Sequence, residues 1–196
     1  MKVVIFGLGA IGSNLMVQLV RQFPDWEFVG VDFDKIEERN VRTQAYFIEQ
    51  VGLLKVQAMR SVLARFRRQI RYTPVAEKLV EPITVWAHKH GDVGLWVDCF
   101  DNAESRWLLT PTENKDVNVL HVGFSPHYTA ECIWNKDYEV PGDVDPKAGD
   151  ICSMDEAVGF INFVVSAATM TISKFAKSQV KESWILTGKR QIKTVG

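Results

Sequence analysis

Three glycines close to the N-terminus have a spacing that is typical of phosphate binding. Gly7, Gly9 and Gly12 form a G-x-G-x-x-G pattern directly after a short β-branched run at residues 2–6. Apolar residues at helical spacing follow them, so the pattern lies between a strand and a helix. Because glycines lack side chains, backbone N–H groups and the helix N-terminus can approach a phosphate there. We therefore predict a phosphate-binding turn, with Ile11 inside it as a further nucleotide contact.

An acidic residue follows the glycine turn at the distance expected for a ribose ligand. Asp32 lies 20 residues after Gly12, at the end of a second predicted strand, residues 27–31. A carboxylate in that place can accept hydrogen bonds from both hydroxyls of a ribose. The glycine turn and Asp32 together predict a bound nucleotide. They serve ATP and NAD equally well, so the choice between the two depends on other residues.

Further polar residues have spacings that separate the two nucleotides. They are the D-x-D residue Asp34, then Asn40, Gln44 and Lys55, and finally the run Asp98-Cys99-Phe100-Asp101-Asn102 with Arg106. This order resembles the ThiF/MoeB/HesA family, which is related to the ubiquitin-activating enzymes. That family has D-x-D, N-x-x-[RQ], G-x-x-K and D-x-x-D-N-x-x-x-R motifs after its glycine turn. A nicotinamide dehydrogenase has no reason to keep the last three of these motifs.

The resemblance implies a reaction and a partner. Members of the family use ATP and Mg²⁺ to adenylate the C-terminal glycine carboxylate of a ubiquitin-like or sulfur-carrier protein, and they release pyrophosphate. Relatives of this kind pair as homodimers. We therefore expect this chain to be a carrier-activating adenylyltransferase that forms a homodimer.

The resemblance also assigns roles to individual residues. It places Lys55 on the phosphates, Asp101 on Mg²⁺, Asp32 on the ribose, and Asn40 with Gln44 near the phosphates. These residue types suit the chemistry, because attack of a carboxylate on the α-phosphorus requires the triphosphate charge to be offset. Mg²⁺ takes few protein ligands beside phosphate and water oxygens, so one aspartate is sufficient. The alternatives are that Lys55 is a solvated helix lysine and that Asp101 belongs to a helix cap.

The chain departs from the family pattern at one arginine. The family usually has it three residues after the Asn, and that position is Thr43 here, with Arg42 one place before it and Arg39 just ahead of Asn40. A slip of one residue turns a helical side chain by about 100°. We take Arg42 as the candidate catalytic arginine and Arg39 as its alternative. The paired C-x-x-C motifs of many members are also missing, so we predict no structural zinc.

Cys152 is the candidate thiol for a step that follows adenylation. It comes after a stretch rich in Pro, Gly and Asp and just before a predicted helix at about 154–177. The dipole of that helix would lower the pKa of the thiol. The alternative is a small apolar residue beneath the loop. The stretch at about 135–153 is long enough to cross over an extended peptide and hold it near the phosphates. Phe124, Trp134 and Tyr138 are candidate channel residues, and the alternative is that these aromatic side chains belong to the core.

Composition and charge limit the class of protein. With 196 residues that are 46% hydrophobic, the chain can bury one sizeable core, and we predict a single domain over residues 1–196. The net charge of −1 provides no global attraction for nucleic acid or an anionic membrane. Residues 157–172 are apolar but contain Asn162 and Ser166, which suits a buried helix. We therefore expect a soluble, cytoplasmic protein that binds neither nucleic acid nor membrane.

Strand and helix patterns alternate in the first half of the chain and change in the second. Besides the elements above, an amphipathic helix is predicted at 52–66 and strands at about 70–75, 94–99 and 117–122, with a helix in 102–115 that Pro111 interrupts. Later strands are predicted at 128–134, 184–186 and 191–195. Alternation of this kind predicts βαβ units. The fold class is thus a Rossmann-like three-layer α/β domain, whose mostly parallel sheet is continued by antiparallel strands in the C-terminal half.

Other functions stay open. Thr43 is consistent with a non-catalytic partner subunit, as is the start of the first strand near residue 3, which leaves no N-terminal arm of the kind that carries an arginine to the neighbouring subunit in many relatives. An NAD-dependent oxidoreductase would use only the glycine turn and Asp32. A tRNA-modifying dehydratase of the same superfamily has no supporting basic field here.

Overall fold

The computed structural model describes residues 1–110, 117–125, 127–141, 151–187 and 191–195. Within these residues eight strands form one sheet. They are Lys2–Phe6 (β1), Glu27–Val31 (β2), Arg71–Val75 (β3), Leu95–Asp98 (β4), Val119–Phe124 (β5), Ala130–Trp134 (β6), Ser183–Thr187 (β7) and Gln191–Val195 (β8). Their order across the sheet is β3-β2-β1-β4-β5-β6-β7-β8.

Helices connect the strands of the first half. In the described residues they are Ala10–Gln22 (α1), Lys55–Ala64 (α2), Ile83–His90 (α3), Ala103–Leu108 (α4) and Ala157–Ser178 (α5). Short 3₁₀ turns occur at Glu38–Asn40, Ile48–Gln50, Asn135–Asp137 and Ile151–Ser153.

The sheet changes from parallel to antiparallel at β5. The strands β1 to β5 pair in parallel, because helical or long connections return the chain to the end of the sheet at which the previous strand began. The strands β5 to β8 pair antiparallel. This arrangement confirms the predicted mixed Rossmann-like sheet.

Alternate residues of the strands face two separate apolar layers. In β1, Val3 and Ile5 belong to one core cluster, whereas Val4 and Phe6 belong to the other, as the period of two in a strand requires. The first cluster packs under α1, α2 and α5, and the second packs under α3 and the end of α4. The sheet is therefore covered on both faces, which is why its strands are apolar almost throughout.

α5 is the one helix, among the described residues, that is long and apolar enough to cross a membrane by length and composition. Half of its most apolar window is buried inside the protein, where Ile161, Val164 and Ile172 join the first core cluster. Core helices of soluble proteins pass the same test, so this feature is weak evidence for a membrane span.

Some boundaries differ from the sequence prediction. α2 begins at Lys55 rather than at residue 52, because Gly52 has a φ of 90° and lies in a turn before the helix. α3 is a helix that the sequence did not predict, since its short segment mixes apolar and polar residues without a clear period. Pro111, residues 142–150 of the crossover stretch and residues 188–190 lie outside the described residues.

Candidate nucleotide-binding site

A pocket opens at the carboxyl ends of β1, β2 and β4. The chain connects β1 to β2 on one side while β4 lies on the other, so the loops diverge there and leave a crevice. The crevice is a cavity of about 850 Å³, which is within the usual range of small-molecule sites. Its wall carries most of the predicted site residues, namely Gly7, Gly9, Ile11, Asp32, Asp34, Asn40, Gln44, Lys55, Asp101 and Cys152.

The glycine turn has the backbone that its sequence predicts. Gly7 has a φ of 80°, which only glycine adopts readily. A Cβ on Gly12 would lie 1.9 Å from the Gly7 carbonyl oxygen, so Gly12 permits the close packing of α1 on the turn and is not itself among the described wall residues. A Cβ on Gly9 would meet no atom within 4 Å. Gly9 therefore leaves space for a ligand beside the N-terminus of α1.

Asp32 is buried at the end of β2 and braces the glycine turn. Its Oδ2 accepts a hydrogen bond from the Leu8 N–H at 2.7 Å, and its Oδ1 accepts one from the Asp34 N–H at 2.8 Å. Burial raises the pKa of the Asp32 carboxyl above its usual value, while Lys55 and the two N–H groups act to lower it. A carboxylate has about four acceptor positions, so Asp32 keeps capacity for ribose hydroxyls.

Lys55 is held between two carboxylates at the start of α2. Its Nζ lies 2.8 Å from Oδ2 of Asp34 and 3.7 Å from Oδ2 of Asp32. Lys55 is only 7% exposed, so it is not a solvated helix lysine. An ammonium that lines the pocket close to a phosphate-binding turn can offset the charge of a triphosphate.

The segment between β2 and α2 supplies a polar wall. The carbonyl of Asn40 accepts hydrogen bonds from the N–H groups of Thr43 and Gln44, so Asn40 shapes the turn that carries both. Oγ1 of Thr43 and Oε1 of Gln44 are buried and have no hydrogen-bond partner among the described residues. Buried polar atoms are nearly always paired. Two such atoms belong to residues on the wall of one pocket, where a bound ligand can supply their partners.

Asp101 and Asn102 have separate roles at the start of α4. Oδ1 of Asn102 accepts a hydrogen bond from the Ser105 N–H at 2.9 Å and caps the helix. Asp101 is exposed and lines the pocket. Within the described residues no three His, Cys, Asp or Glu side chains form a metal-binding group. Asp101 suits Mg²⁺, which needs one carboxylate when phosphate oxygens complete its coordination.

Arg106 joins three parts of the chain beside the pocket, a role that the motif alone does not show. Its Nε donates a hydrogen bond to the Phe100 carbonyl at 2.8 Å. Its Nη1 donates to the Tyr138 hydroxyl at 2.6 Å and to Oε1 of Glu131 at 3.3 Å. We define residues 135–153 as the crossover segment. Arg106 therefore connects the loop after β4, which contains Asp101, both to β6 and to the first residues of the crossover segment.

A buried acid–histidine pair supports the same loop. Nδ1 of His121 lies 2.8 Å from Oδ2 of Asp98, and Oδ1 of Asp98 accepts a hydrogen bond from the Phe100 N–H. Burial lowers the pKa of His121, although the carboxylate of Asp98 acts to raise it. The His121 ring stacks on Tyr138 with centroids 3.6 Å apart. Asp98 and His121 are direct neighbours in the parallel pairing of β4 and β5. No local spacing in the sequence predicts this contact.

Arg42 is directed at the crossover segment and not into the pocket. Its Nη1 donates a hydrogen bond to the Ser153 carbonyl at 3.2 Å, and its Nη2 donates to the Met154 carbonyl at 3.0 Å. Arg42 is not among the described wall residues of the pocket, so its role beside the phosphates stays a prediction without a supporting contact. Neighbouring residues in a turn project in different directions, and it is the next residue, Thr43, that lines the pocket. Arg39 does line the pocket, where it pairs with Glu37 at 2.6 Å.

Two cysteine thiols line the pocket. Cys152 lies in the turn Ile151–Ser153, whereas α5 begins at Ala157. Since a helix dipole acts mainly within the first turn, this position gives little support to the predicted lowering of the Cys152 pKa. Cys99 also lines the pocket, and burial raises the pKa of its thiol well above the usual value. Cys152 is thus the better placed of the two as a nucleophile.

Further wall residues were not singled out by the sequence. They are Phe33, Lys35, Glu37, Lys78, Phe100, Glu104, Ser105, Val122 and Gly123. Lys78 follows β3 and reaches the pocket because β3 pairs beside β2. Of the candidate channel residues, Phe124 lines the pocket, whereas Tyr138 is buried against Arg106. Trp134 is fully buried in the first core cluster, as the alternative interpretation of these aromatic side chains predicts.

The fold and the pocket together define a class of protein. A glycine turn, an acid for the ribose and a buried lysine meet at the switch point of a parallel sheet, which is the arrangement of a nucleotide-binding α/β domain. The family model of the ThiF family matches residues 1–182. The chain therefore belongs to the ThiF family.

Solved structures with a similar fold include those of E. coli MccB and of PaaA. The chain superposes on E. coli MccB with ATP at a TM-score of 0.76 and 18% identity, and on MccB with MccA-N7isoASN at 0.74 and 17%. It superposes on PaaA at 0.70 and 18%. These matches cover 100%, 100% and 99% of this chain, which spans 63%, 64% and 63% of the length of those chains. No curated protein sequence matches the chain.

Proposed function

We propose that this protein adenylates the C-terminal carboxylate of a carrier protein, which is ubiquitin-like or a sulfur carrier and ends in glycine. In this reaction a carboxylate oxygen attacks the α-phosphorus of ATP. A new acyl–phosphate bond forms, the bond between the α-phosphorus and its bridging oxygen breaks, and pyrophosphate leaves. Membership of the ThiF family and the likeness to MccB, which has been solved with ATP and with MccA, support a reaction of this type on a C-terminal tail.

The observation that carries the proposal is the meeting of Lys55 and Asp101 on one pocket wall with the glycine turn. Lys55 comes from the start of α2 and Asp101 from the loop after β4. An NAD-dependent oxidoreductase needs neither a buried lysine nor a carboxylate at that place. A triphosphate needs both, because its charge must be offset while nucleophile and leaving group are held in line.

Different residues of the pocket bind different parts of the nucleotide. Asp32 accepts the ribose hydroxyls, the glycine turn and Lys55 hold the phosphates, and Asp101 holds Mg²⁺. A Mg²⁺ ion bound there would neutralise charge on the phosphates. The side of the pocket lined by Phe124 and Cys152 receives the end of the tail. In a following transfer the thiol of Cys152 loses its proton and attacks the acyl carbon of the adenylate, so that a thioester forms, the acyl–phosphate bond breaks and AMP leaves. We further propose that the protein acts in the cytoplasm as a homodimer.

Asp101→Asn tests the proposal directly. We expect this variant to lose ATP–pyrophosphate exchange by about a hundredfold or more, as on removal of one group that stabilises transition-state charge. The exchange is measured with a panel of carriers that end in diglycine, with and without Mg²⁺. Asp92→Asn is the matched control, because Asp92 is exposed in the loop before β4 and does not line the pocket. Binding of ATP without exchange for any carrier of the panel would contradict the proposal.

A second candidate function is a non-catalytic partner subunit. The placement of Arg42 favours it, since the family position of the arginine is Thr43 here and the neighbouring guanidinium of Arg42 is engaged by the crossover segment. Such a subunit would bind ATP or a carrier without exchange and would co-purify with a second activating subunit.

A further inference from the structure

The side chain of Thr43 is an unusual feature of the pocket wall. Thr43 is 5% exposed, it lines the pocket, and its Oγ1 is buried with no hydrogen-bond partner in the part of the chain that the structure describes. A buried hydroxyl without a partner costs free energy. The hydroxyl is therefore placed for a partner that the protein alone does not supply.

The backbone of Thr43 is fixed on both sides, and its side chain is buried, so no rotamer change within this backbone moves the hydroxyl far from the pocket wall. Its N–H donates to the Asn40 carbonyl at 3.2 Å. Its carbonyl accepts a hydrogen bond from Nδ2 of Asn14 at 2.8 Å, and the same Nδ2 also donates to the Ala10 carbonyl. Thr43 is thus tied to the first turn of α1.

The surroundings of Thr43 identify the chemistry of the missing partner. Gly9, Ala10 and Ile11 at the N-terminus of α1 line the same pocket, and the N–H groups of a helix N-terminus attract anions. A hydroxyl in this place can donate to a phosphate oxygen. We propose that Thr43 is a phosphate-binding residue, whose hydroxyl donates to a phosphate oxygen of the bound nucleotide. This inference rests on the proposed function in one respect, namely that the ligand is a nucleotide.

The placement of Arg42 supports this assignment. Its guanidinium contacts the carbonyls of Ser153 and Met154, and Arg42 is not among the described residues that line the pocket. At this point of the wall a ligand therefore meets the neutral hydroxyl of Thr43. Lys55 then provides the buried positive charge near the glycine turn. Thr43 contributes a directional hydrogen bond, which is stronger when its acceptor is charged.

Substitution of Thr43 separates a ligand-binding hydroxyl from a structural one. Thr43→Val keeps the shape and removes the hydroxyl, and Thr43→Ser keeps the hydroxyl. Titration calorimetry with Mg²⁺·ATP, adenosine and inorganic pyrophosphate gives the dissociation constants, and the melting temperature is measured without ligand. Thr73→Val is the matched control, since Thr73 is exposed on the edge strand β3.

We expect Thr43→Val to raise the dissociation constant of Mg²⁺·ATP about tenfold to a hundredfold. Affinity for adenosine should not change, and Thr43→Ser should restore most of the ATP affinity. Without ligand, Thr43→Val should melt at the same or a higher temperature, because it removes an unpaired buried hydroxyl. Equal ATP affinity of Thr43→Val and the unsubstituted protein would overturn the inference, as would a lower melting temperature of Thr43→Val.

The failure of this inference is distinct from failure of the proposed function. If the protein binds ATP and Thr43→Val binds it equally well, only the role of Thr43 is lost. If Thr43→Val weakens ATP binding but no carrier supports pyrophosphate exchange, the role of Thr43 stands and adenylation does not. If the unsubstituted protein binds neither ATP nor pyrophosphate, both are overturned.

Discussion

At the scale of single residues, the charge balance of the pocket depends on Lys55. Its ammonium lies close to two carboxylates, at 2.8 Å from Asp34 and 3.7 Å from Asp32. Burial raises the pKa of Asp32, and Lys55 is the largest influence that lowers it. The ionised form of Asp32, which we propose to accept ribose hydroxyls, is therefore maintained in part by Lys55, which we propose to hold the phosphates.

Lys55→Met should raise the pKa of Asp32 further, because burial then acts with less opposition. A group whose pKa is raised in the folded state binds its proton more tightly there than in the unfolded chain, where the value is about 3.9. Folding stability therefore falls as pH rises from that value through the folded pKa, and in Lys55→Met this fall extends to higher pH. Carboxyl ¹³C NMR of Asp32 against pH measures the shift. Lys35→Met is the control, since Lys35 is exposed and does not contribute to the shift of Asp32; an equal shift in both variants would contradict the prediction.

At the scale of elements, two arginines attach the ends of the crossover segment to the two loops of the pocket. Arg106, which follows the Asp101 loop, bonds to Tyr138 near the start of the segment. Arg42, in the loop between β2 and α2, bonds to the carbonyl of Ser153 at its end. The backbone around Cys152 is thus held against the wall that carries Asn40 and Gln44.

Arg42→Gln should loosen the end of the crossover segment. Loss of charge-assisted hydrogen bonds to exposed carbonyls is worth roughly 1 kcal/mol, so we expect Cys152 to react with a maleimide about fivefold faster. Labelling is followed by mass spectrometry of the Cys152 peptide, with Cys152→Ser as the baseline. Arg68→Gln is the control, because Arg68 is exposed beyond the end of α2. If Arg42→Gln instead weakens ATP binding and leaves labelling unchanged, Arg42 contacts the phosphates after all.

At the scale of the whole molecule, the pocket depends on the order of the strands. The loops after β1 and β4 separate because the chain proceeds from β1 to one side of the sheet and later returns to the other. A ligand in the crevice contacts several elements that are far apart in sequence. Its binding should therefore stabilise the fold as a unit.

Saturating Mg²⁺·ATP should raise the melting temperature, and NADH should not. At one hundred times its dissociation constant a ligand adds about 2.7 kcal/mol of stability. For a chain of this size that corresponds to a rise of about 5–10 °C. Differential scanning fluorimetry measures it, with adenosine as a control for the part that the base and ribose contribute. A larger rise with NADH than with ATP would favour the NAD-dependent oxidoreductase.

The parts of the site that depend on local sequence were predictable. The glycine turn follows from glycines that alone tolerate the φ of Gly7 and the close approach at Gly12. Asp32, Lys55 and Asp101 stand at the ends of strands or the start of a helix, and parallel strands bring such ends to one edge of a sheet. The family motifs named these residues, and the structure places them on one pocket wall.

Other features were decided by contacts between segments that are far apart in the chain. Arg42 turns to carbonyls more than one hundred residues away, and Thr43 then occupies the inward position. His121 meets Asp98 because β4 and β5 pair in parallel. A side chain's direction depends on which partners the folded chain offers it, and neither spacing nor residue type specifies those partners. The sequence by itself thus determined the frame of the pocket, whereas the tertiary structure decided which of two adjacent side chains, Arg42 or Thr43, lines it.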